Sequence, residues 1–388
     1  MKLEFYNCPN SLGISSVTLP QVPEFVKYRP DFEKMQELAI KYSEFQNVII
    51  IGHGGSITSF YGIYNALKFQ ATKNAYFLST IDPDYIFELK QLLNREDTLV
   101  ISISKSGETA TQIEMLSQFA DFPLLVITGK NNSLSFIAEK LDADIVEHPI
   151  IGGRYTGFTE VGLLPAMIVG IDVKKIFEGA LTFFDAYNKD NLAFTTASVL
   201  YELEKKGFVD VFMPFYSHNL FAMSSVIVQL CHESFGKNGK GQTYFAHEAP
   251  ESQHHTNQRF FGGIKNICGL FTTSESFQNP TLNIYPNSIK NVEIKGYKLS
   301  DVDTIPLEKA LEFEWQGTME DAKIQSIPLI HLSITDFSPK EIGSFLAFWQ
   351  LVAVYSSVLR EVNPFDQPQV ENSKLISFNK RLAYKGLL

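Results

Sequence analysis

The sequence predicts an α/β fold made of two doubly wound parallel-sheet domains. The run NVIII at residues 47–51 is an almost wholly apolar strand, which is typical of a parallel sheet covered on both faces. From there to residue 147, short apolar runs alternate with helical patterns, and the same strand-first order resumes at Val209. We therefore expect a first domain over residues 1–188 and a second over residues 189–388 that ends in a helical tail.

In the first half, strands and helices are expected in strict alternation. The strands are predicted at 47–51, 75–78, 98–103, 123–128 and 144–147, and the helices at 56–67, 82–93, 109–119 and 133–141. Helical patterns then dominate residues 160–206. The polar cluster NKDN at 188–191 interrupts them and marks the predicted domain boundary.

In the second half, the same logic places strands near residues 209–213, 267–271 and 328–334. Helices are expected over 220–234 and from about 340 to 362, and the segment 279–287, which holds two prolines, is expected to be surface loop. The apolar run from Ile342 to Leu359 contains five glycine, serine and glutamine residues, so we interpret it as a buried core helix.

Composition excludes several classes of function. The 388 residues are 45% apolar and 13% aromatic, which rules out disorder for most of the chain. The net charge of −10 and the lack of a long basic stripe disfavour nucleic acid and an anionic membrane surface as partners. Cys8, Cys231 and Cys268 form no CxxC pair, and the start MKLEFYNCPN has no apolar signal core. We expect free thiols and a soluble protein of the cytoplasm.

Two polar turns follow predicted strands of the first domain. The first is GHGGS, in which Gly54, Gly55 and Ser56 could let the backbone approach a ligand at a helix start, although a tight turn is an equally good interpretation. The second is the run from Ser104 to Thr109, where hydroxyls and amides at a helix start could form a cradle for phosphate, although such hydroxyls also occur simply as helix caps. Ligands of open α/β sheets bind at this edge.

Two charged residues are candidates for acid–base chemistry. Arg154 follows a glycine pair and could stabilise an oxyanion, or it could form an ordinary surface ion pair. Glu233 lies where an apolar helix meets a glycine break, and burying a carboxylate there is costly without a task or a partner. It is therefore a candidate general base, and a simple pairing with Lys237 or Lys240 is the alternative.

The densest group of histidines and carboxylates lies at residues 247–258. Its spacings match no standard zinc pattern, and the adjacent His254 and His255 point apart on most backbones. A single acid–base histidine is favoured over a metal site, and we expect no metal. Lys374 follows the two prolines of NPFDQPQ and could donate a proton, although taken alone an exposed lysine is the simpler interpretation.

Taken together, the motifs resemble the glucose-6-phosphate isomerase family, which is built from two flavodoxin-like sugar-isomerase domains. The resemblance spans roughly residues 45–375 in the order of the family. It is carried by GGRYTGFTEVGLLPA from Gly152, ESFGK from Glu233, Gln253-His254 with Gln258, and FDQPQVENSK up to Lys374. The segment Ser104–Thr109 also matches the phosphate loop Ser-x-Ser-Gly-x-Thr.

The resemblance implies a role for each matching residue. Glu233 would be the base that moves a proton between sugar C1 and C2 through a cis-enediol, and Arg154 would steady the enediolate oxygen. His254 and Lys374 would assist ring opening, with His254 supplied by the other subunit of a homodimer. The phosphate and the sugar would be held by the residues Gly54, Gly55, Ser56, Ser104, Lys105, Ser106, Thr109 and Gln253. No cofactor is implied.

Several residues depart from the family pattern. Thr111-Gln112 stands where Glu-Thr is usual, and Glu108 adds a negative charge that we expect to face solvent or pair with a cation. His53 replaces a smaller residue, and Phe235 is bulky for its place. The roles of His247 and His255 stay open.

The expected activity is interconversion of glucose 6-phosphate and fructose 6-phosphate. The alternatives are isomerisation of another sugar phosphate, such as mannose 6-phosphate, and a non-catalytic sugar-phosphate sensor. No basic helix-turn-helix module accompanies the motifs, which argues against the sensor.

Overall fold

The computed structural model describes residues 1–9 and 17–388 and forms two five-stranded sheets surrounded by helices. The elements up to the end of the first sheet are β1 (Lys2–Tyr6), α1 (Glu24–Lys27), α2 (Phe32–Lys41), β2 (Asn47–Ile51), α3 (Thr58–Leu67), β3 (Asn74–Leu78), α4 (Pro83–Leu92), β4 (Thr98–Ser104), α5 (Ala110–Ser117), β5 (Leu124–Thr128), α6 (Ser133–Lys140) and β6 (Asp144–Glu147).

The remaining elements begin with three consecutive helices. They are α7 (Glu160–Ile168), α8 (Val173–Phe184), α9 (Leu192–Lys205), β7 (Asp210–Phe215), α10 (His218–Phe221), α11 (Ser224–Phe235), β8 (Thr243–Glu248), α12 (Thr256–Gly262), β9 (Ile267–Ser274), β10 (Glu293–Ile294), β11 (Tyr297–Lys298), α13 (Leu307–Ile324), β12 (Leu329–Ile334), α14 (Pro339–Leu359) and α15 (Glu371–Tyr384). Short 3₁₀ turns cover 54–56, 153–158 and 251–254.

The first sheet is entirely parallel, in the order β3-β2-β4-β5-β6. Its central strands β4 and β5 are buried along their whole length, as strands covered by helices on both faces must be. The predicted α/β class with doubly wound sheets is confirmed.

The second sheet has the order β1-β12-β9-β7-β8, and all its strands are parallel except β1, which pairs antiparallel with β12. The strand β1 lies at one end of the chain and in the sheet of the other half. The predicted boundary between residues 188 and 189 lies in the connection between α8 and α9. Because β1, from the first half of the chain, belongs to the second sheet, this boundary stays a prediction.

The two halves share a helical core. Helix α14 crosses α8 so closely that a Cβ on Gly343 would lie 1.9 Å from the carbonyl oxygen of Ile176, and one on Gly179 would lie 1.9 Å from that of Lys340. Only glycine allows this approach of two backbones. Among the described residues α14 is the one helix long and apolar enough to cross a membrane, but 94% of its most apolar window is buried inside the protein, so the predicted core helix is confirmed.

Some elements were not predicted. The sequence interpretation omitted β1, α1, α2, β8, α12, α13 and the small β10–β11 hairpin, and it merged α10 and α11 into one helix. The predicted loop over 279–287 has neither helix nor strand and is largely exposed.

Candidate active site

The predicted arginine and the predicted base form an ion pair. Arg154 Nη1 lies 3.0 Å from Glu233 Oε2, and the arginine side chain is 1% exposed while that of the glutamate is 30% exposed. The surface ion pair considered for Arg154 is therefore excluded. Glu233 does not pair with Lys237 or Lys240, because those ammonium groups bind Asp366 and the carbonyl oxygen of Arg360.

Every nitrogen of the Arg154 guanidinium donates a hydrogen bond. Nε donates to Ser234 Oγ at 2.9 Å, and Nη1 donates to Gln367 Oε1 at 2.8 Å in addition to Glu233. Nη2 donates to the carbonyl oxygens of Pro364 and Asp366. This full set fixes the plane of the guanidinium and draws the segment 364–367 over the site.

Two glutamines of the site were missed by the sequence interpretation. Gln229 Nε2 donates to Glu233 Oε1 at 2.8 Å, and Thr58 Oγ1 donates to Gln229 Oε1 at 2.8 Å, so the second carboxylate oxygen is also held. Gln229 lies four residues before Glu233 on α11, a spacing that puts both side chains on one helix face and could have revealed it. Gln367, by contrast, contacts Arg154 across 213 residues of sequence, and no helical spacing connects the two.

The glycine turn brings the edge of the first sheet to this pair. A Cβ on Gly55 would lie 2.0 Å from the carbonyl carbon of Gly153, so the two backbones touch. Gly54 has a φ of +51°, and a Cβ there would lie 2.8 Å from Gln229 Nε2. Both glycines are required sterically by a tight turn that packs against Gly153 and Gln229, and binding of a ligand by this turn stays a prediction.

The hydroxyl-rich loop from Ser104 to Thr109 follows β4, next to the strand that carries the glycine turn. Ser104 is buried, and its Oγ accepts a hydrogen bond from the amide of Gly107 at 3.1 Å, while the Ser106 Oγ accepts one from Glu108 at 3.3 Å. Lys105 and Ser106 are exposed, and Thr109 precedes the first turn of α5. The loop is closed by its own serines and keeps exposed donors for an anion.

His53 connects the two turns. Its Nε2 lies 2.8 Å from Thr111 Oγ1, and burial together with the nearby charge of Lys374 lowers the pKa of the imidazole. The hydroxyl of Thr111 is therefore hydrogen-bonded to a ring whose neutral form is favoured. Lys374 itself is 62% exposed and is bound 2.9 Å from Glu371 on α15, so it lies on the side of the glycine turn without touching Glu233.

The predicted residues His254 and Gln253 lie at the carboxyl ends of the strands of the second sheet, whereas Glu233 lies at the amino ends. Glu233 is near the start of β8, where the amide of Tyr244 donates to the neighbouring His232, whereas His254 follows the end of that strand. The strand β8, six residues or about 17 Å long, runs from the end near Glu233 to the end that precedes His254. Gln253 Nε2 donates to Tyr216 Oη at 2.9 Å and to Thr318 Oγ1 at 3.0 Å. Within one chain these two residues do not join Glu233.

A model of the phosphoglucose isomerase family matches residues 34–265, which is more than half of the chain. The chain belongs to that family. The resemblance and the isomerase class predicted from the motifs are thereby confirmed. The match contains Arg154, Glu233 and His254 but ends before Lys374.

Relatives in distant organisms share the name glucose-6-phosphate isomerase. The protein of that name from Methanocaldococcus jannaschii is 26% identical over 367 residues, covering 90% of this chain and 87% of that protein. The one from Enterococcus faecalis is 28% identical over 382 residues, covering 89% of this chain and 83% of that protein. The relatives therefore resemble this member of the phosphoglucose isomerase family over nearly its whole length.

Solved structures agree on the fold. A hypothetical protein from Thermus thermophilus superposes with a TM-score of 0.81 at 26% identity, covering 93% of this chain and 89% of that one. A glucose-6-phosphate isomerase from Chlamydia trachomatis superposes with a TM-score of 0.76 at 18% identity, covering 93% and 74%. The second likeness concerns the fold alone.

Two departures from the phosphoglucose isomerase family pattern have structural explanations in this chain. The exposed Glu108 accepts hydrogen bonds from the amide and the hydroxyl of Ser133, at the start of α6, and those bonds lower the pKa of its carboxyl. Of the two outcomes expected for it, exposure to solvent is the one found. Phe235 is fully buried, with its ring 4.6 Å from the guanidinium of Arg360.

The His/carboxylate segment forms local pairs. His255 Nε2 lies 2.8 Å from Glu251, and the rings of His247 and His255 are 5.2 Å apart. Across residues 1–9 and 17–388, no three side chains of the histidine, cysteine, aspartate or glutamate type come together as a metal-ligand set.

Proposed function

We propose that this protein interconverts glucose 6-phosphate and fructose 6-phosphate, with Glu233 as the base. The observation that carries the proposal is the ion pair of Glu233 with the buried Arg154, placed against the glycine turn at the carboxyl edge of the first sheet. The relatives named glucose-6-phosphate isomerase support glucose 6-phosphate as one of the two sugars.

The chemistry follows from the positions of the two charges. The Glu233 carboxylate takes the proton from C2 of the open-chain aldose while the carbonyl oxygen O1 gains a proton, which gives a cis-enediol. Return of the carbon-bound proton to C1, with loss of the O2 proton, gives the ketose. A positioned base accelerates such a step by about 10²–10⁴-fold. The guanidinium of Arg154 stabilises negative charge as it develops on the two oxygens.

The phosphate is held away from the reacting carbons. Ser56, Ser104, Ser106 and Thr109 supply hydroxyls, and Lys105 supplies a positive charge at the start of α5. Binding energy gained there orients the sugar, so that C1 and C2 meet the carboxylate. Because Gly54 and Gly55 carry no side chains, their turn packs directly against Gln229 and Gly153, which brings the phosphate-binding end of the first sheet beside Glu233.

His254 reaches the site from a second copy of the chain. It lies across the second sheet from Glu233, and its imidazole makes no hydrogen bond within the described residues, so the ring is available to a neighbour. Gln253 accompanies it, and Lys374 approaches from the same chain as Glu233. The imidazole and the ammonium then assist opening of the pyranose ring in a homodimer.

A coupled assay with purified protein tests the base. Glu233→Gln keeps the size of the side chain and removes its basicity, so kcat should fall by about 10²–10⁴-fold. Glu139→Gln, the same change at an exposed position of α6, is the matched control and should leave kcat unchanged. Normal turnover by Glu233→Gln would remove that residue as the base.

The same assay separates the alternatives. A higher kcat/KM with mannose 6-phosphate than with glucose 6-phosphate would change the substrate assignment. Binding of fructose 6-phosphate without exchange of the C1 or C2 proton in deuterated water would show a sensor rather than an enzyme.

Mixing two inactive variants tests the shared site. A heterodimer of Glu233→Gln and His254→Gln contains one doubly altered site and one intact site. Refolding the two variants together should therefore restore about a quarter of the wild-type activity, because half of the dimers are mixed and each has one working site. No recovery would mean that both residues act from one chain.

A further inference from the structure

A second cavity of about 620 Å³ lies at the carboxyl edge of the second sheet. It is bounded by the ends of β9 and β12, by the start of β1 and by α13. Glu233 of the same chain lies at the amino ends of these strands, near the start of β8, so the cavity is separate from the Glu233–Arg154 pair. Its volume is within the range of small-molecule sites.

The cavity occupies the place in the second sheet that the hydroxyl-rich loop occupies in the first. The two sheets have the same order, with β4 beside β2 in one and β9 beside β7 in the other. Both β4 and β9 end in a serine, followed by one charged residue and a second serine. The first sequence is Ser104-Lys105-Ser106 and the second is Ser274-Glu275-Ser276, so the charge at the centre is reversed.

The remaining charges of the cavity are also mainly negative. Its lining includes four glutamates and two lysines, and the lysines are already paired, Lys2 with Glu275 at 2.7 Å and Lys309 with Glu312 at 2.8 Å. Within the described part of the chain, neither Glu4 nor Glu308 has a lysine or arginine within ion-pair distance. The cavity therefore repels a phosphate and attracts a cation.

A chain of hydrogen bonds directs acceptors into the cavity. Glu4 Oε2 lies 3.0 Å from His331 Nδ1, and His331 Nε2 lies 2.9 Å from Thr273 Oγ1. Burial lowers the pKa of His331, so the ring is neutral at pH 7, donates from Nδ1 to the carboxylate and accepts the hydroxyl proton of Thr273 at Nε2. The lone pairs of the threonine oxygen are then left for a donor on a ligand.

An aromatic wall completes the cavity. The Trp315 ring centroid is 4.8 Å from that of His331, and both rings line the space beside Tyr216. Indole faces attract ammonium groups and pack against the apolar face of a sugar. Carboxylates, hydroxyl acceptors and an indole together match a ligand that is rich in donors and positively charged.

We propose that this cavity is a second binding site, for a small hydroxylated ammonium compound such as an unphosphorylated amino sugar. Its ammonium group pairs with Glu4 and Glu308, and its hydroxyls bond Thr273 and the serines of the sheet edge. The ligand contacts none of the residues proposed to hold the hexose phosphate, although Tyr216 in the cavity wall accepts a hydrogen bond from Gln253.

Calorimetric titration of the intact protein with glucosamine and with glucose tests the charge preference, because the two sugars differ at one carbon. Glucosamine should bind at least about tenfold more tightly, as expected for one charge-assisted bond. It should bind equally well when the first site is saturated with an equilibrium mixture of the two hexose phosphates. Equal affinity for the two sugars, or no glucosamine binding at about 50 mM, where even a ~1 mM site is nearly full, would overturn the proposal.

Two conservative variants locate the binding. Glu4→Gln and Glu308→Gln should each weaken glucosamine binding by about five- to tenfold or more, and Glu139→Gln should not change it. Two positions on different elements are used so that a folding defect in one does not decide the outcome. Unchanged affinity in both variants, with the protein folded, would place the ligand elsewhere and refute the site. Isomerase activity should be retained in all three.

Discussion

Two arginines, Arg154 and Arg360, are almost completely buried next to the end of α11. Each pairs with one glutamate, and the two pairs differ in how exposed that glutamate is. Arg154 binds Glu233, whose side chain is 30% exposed, and Arg360 binds Glu204, whose side chain is 17% exposed. Both guanidiniums touch the same helix end, Arg154 through Ser234 and Arg360 through the ring of Phe235.

The surroundings of Arg360 are those of a structural ion pair. Its guanidinium lies 4.6 Å from the ring of Phe235 and 5.3 Å from that of Tyr201, and Nη1 donates to the carbonyl oxygen of Ser356 at 3.0 Å. Arg154 instead holds a carboxylate that is partly exposed and lies beside the glycine turn of the first sheet. Burial of the cation is the same in both pairs, so accessibility of the anion is what distinguishes the pair that we propose to be catalytic from the structural one.

Replacing each arginine by lysine should give the largest difference between the two pairs. Arg154→Lys keeps the charge but loses the planar set of donors, so kcat should fall by about 10²–10³-fold, the cost of one oxyanion donor. The matched change Arg360→Lys should leave kcat within about twofold and lower the free energy of unfolding by about 1–3 kcal/mol. The coupled assay and urea unfolding measure the two effects. A similar loss of kcat in both variants would show that the pairs do not differ in function.

Much of the fold could be predicted because its signals are local. The runs NVIII and TLVISI are buried along nearly their whole length and were recognised as strands because they are mainly apolar and β-branched. The strand β1 was missed although KLEFY alternates polar and apolar residues, since five residues at a chain end give little context. Its partner β12 is more than 320 residues away, a distance over which sequence patterns carry no information.

The candidate site was predicted only in part for the same reason. Arg154 and Glu233 stand in distinctive segments, and the structure brings them together. Gln367 becomes part of the site only through a contact with Arg154 that spans 213 residues. His254 and Lys374 were predicted by resemblance. The structure places His254 beyond the end of β8 and Lys374 on α15, and neither contacts Glu233 within the described residues.

Gln229 offers a smaller test of how the exposed carboxylate is oriented. Gln229→Leu removes the amide that holds Glu233 Oε1, so kcat should fall by about tenfold while KM changes less, because one charge-assisted hydrogen bond is lost. The control is Gln316→Leu, since Gln316 Nε2 donates to Glu312 at the same 2.8 Å on an exposed face of α13. Equal kcat in the two variants would show that the orientation of Glu233 does not depend on this amide.

His148 extends the comparison to a buried base without an anion. Its side chain is 3% exposed, its Nδ1 lies 2.8 Å from the carbonyl oxygen of Pro149, and burial is the main cause that lowers its pKa. Arginine keeps its charge in any protein environment, whereas burial favours the neutral form of this imidazole. Its folded pKa lies below the unfolded value of about 6.5, so the unfolded state binds more protons in that interval.

His148 should make the folded protein less stable in acid, and this is the smallest of the effects predicted for the buried groups. The contribution of His148 is fully present above about pH 6.5 and disappears as the pH falls through the folded pKa. His148→Gln should therefore reduce the slope of unfolding free energy against pH by up to about 1 kcal/mol per pH unit between pH 5 and 6.5. Urea unfolding across this range measures the slope, and the exposed His254→Gln is the control. An unchanged slope in His148→Gln would mean that the buried imidazole becomes protonated as readily in the folded protein as in the unfolded chain.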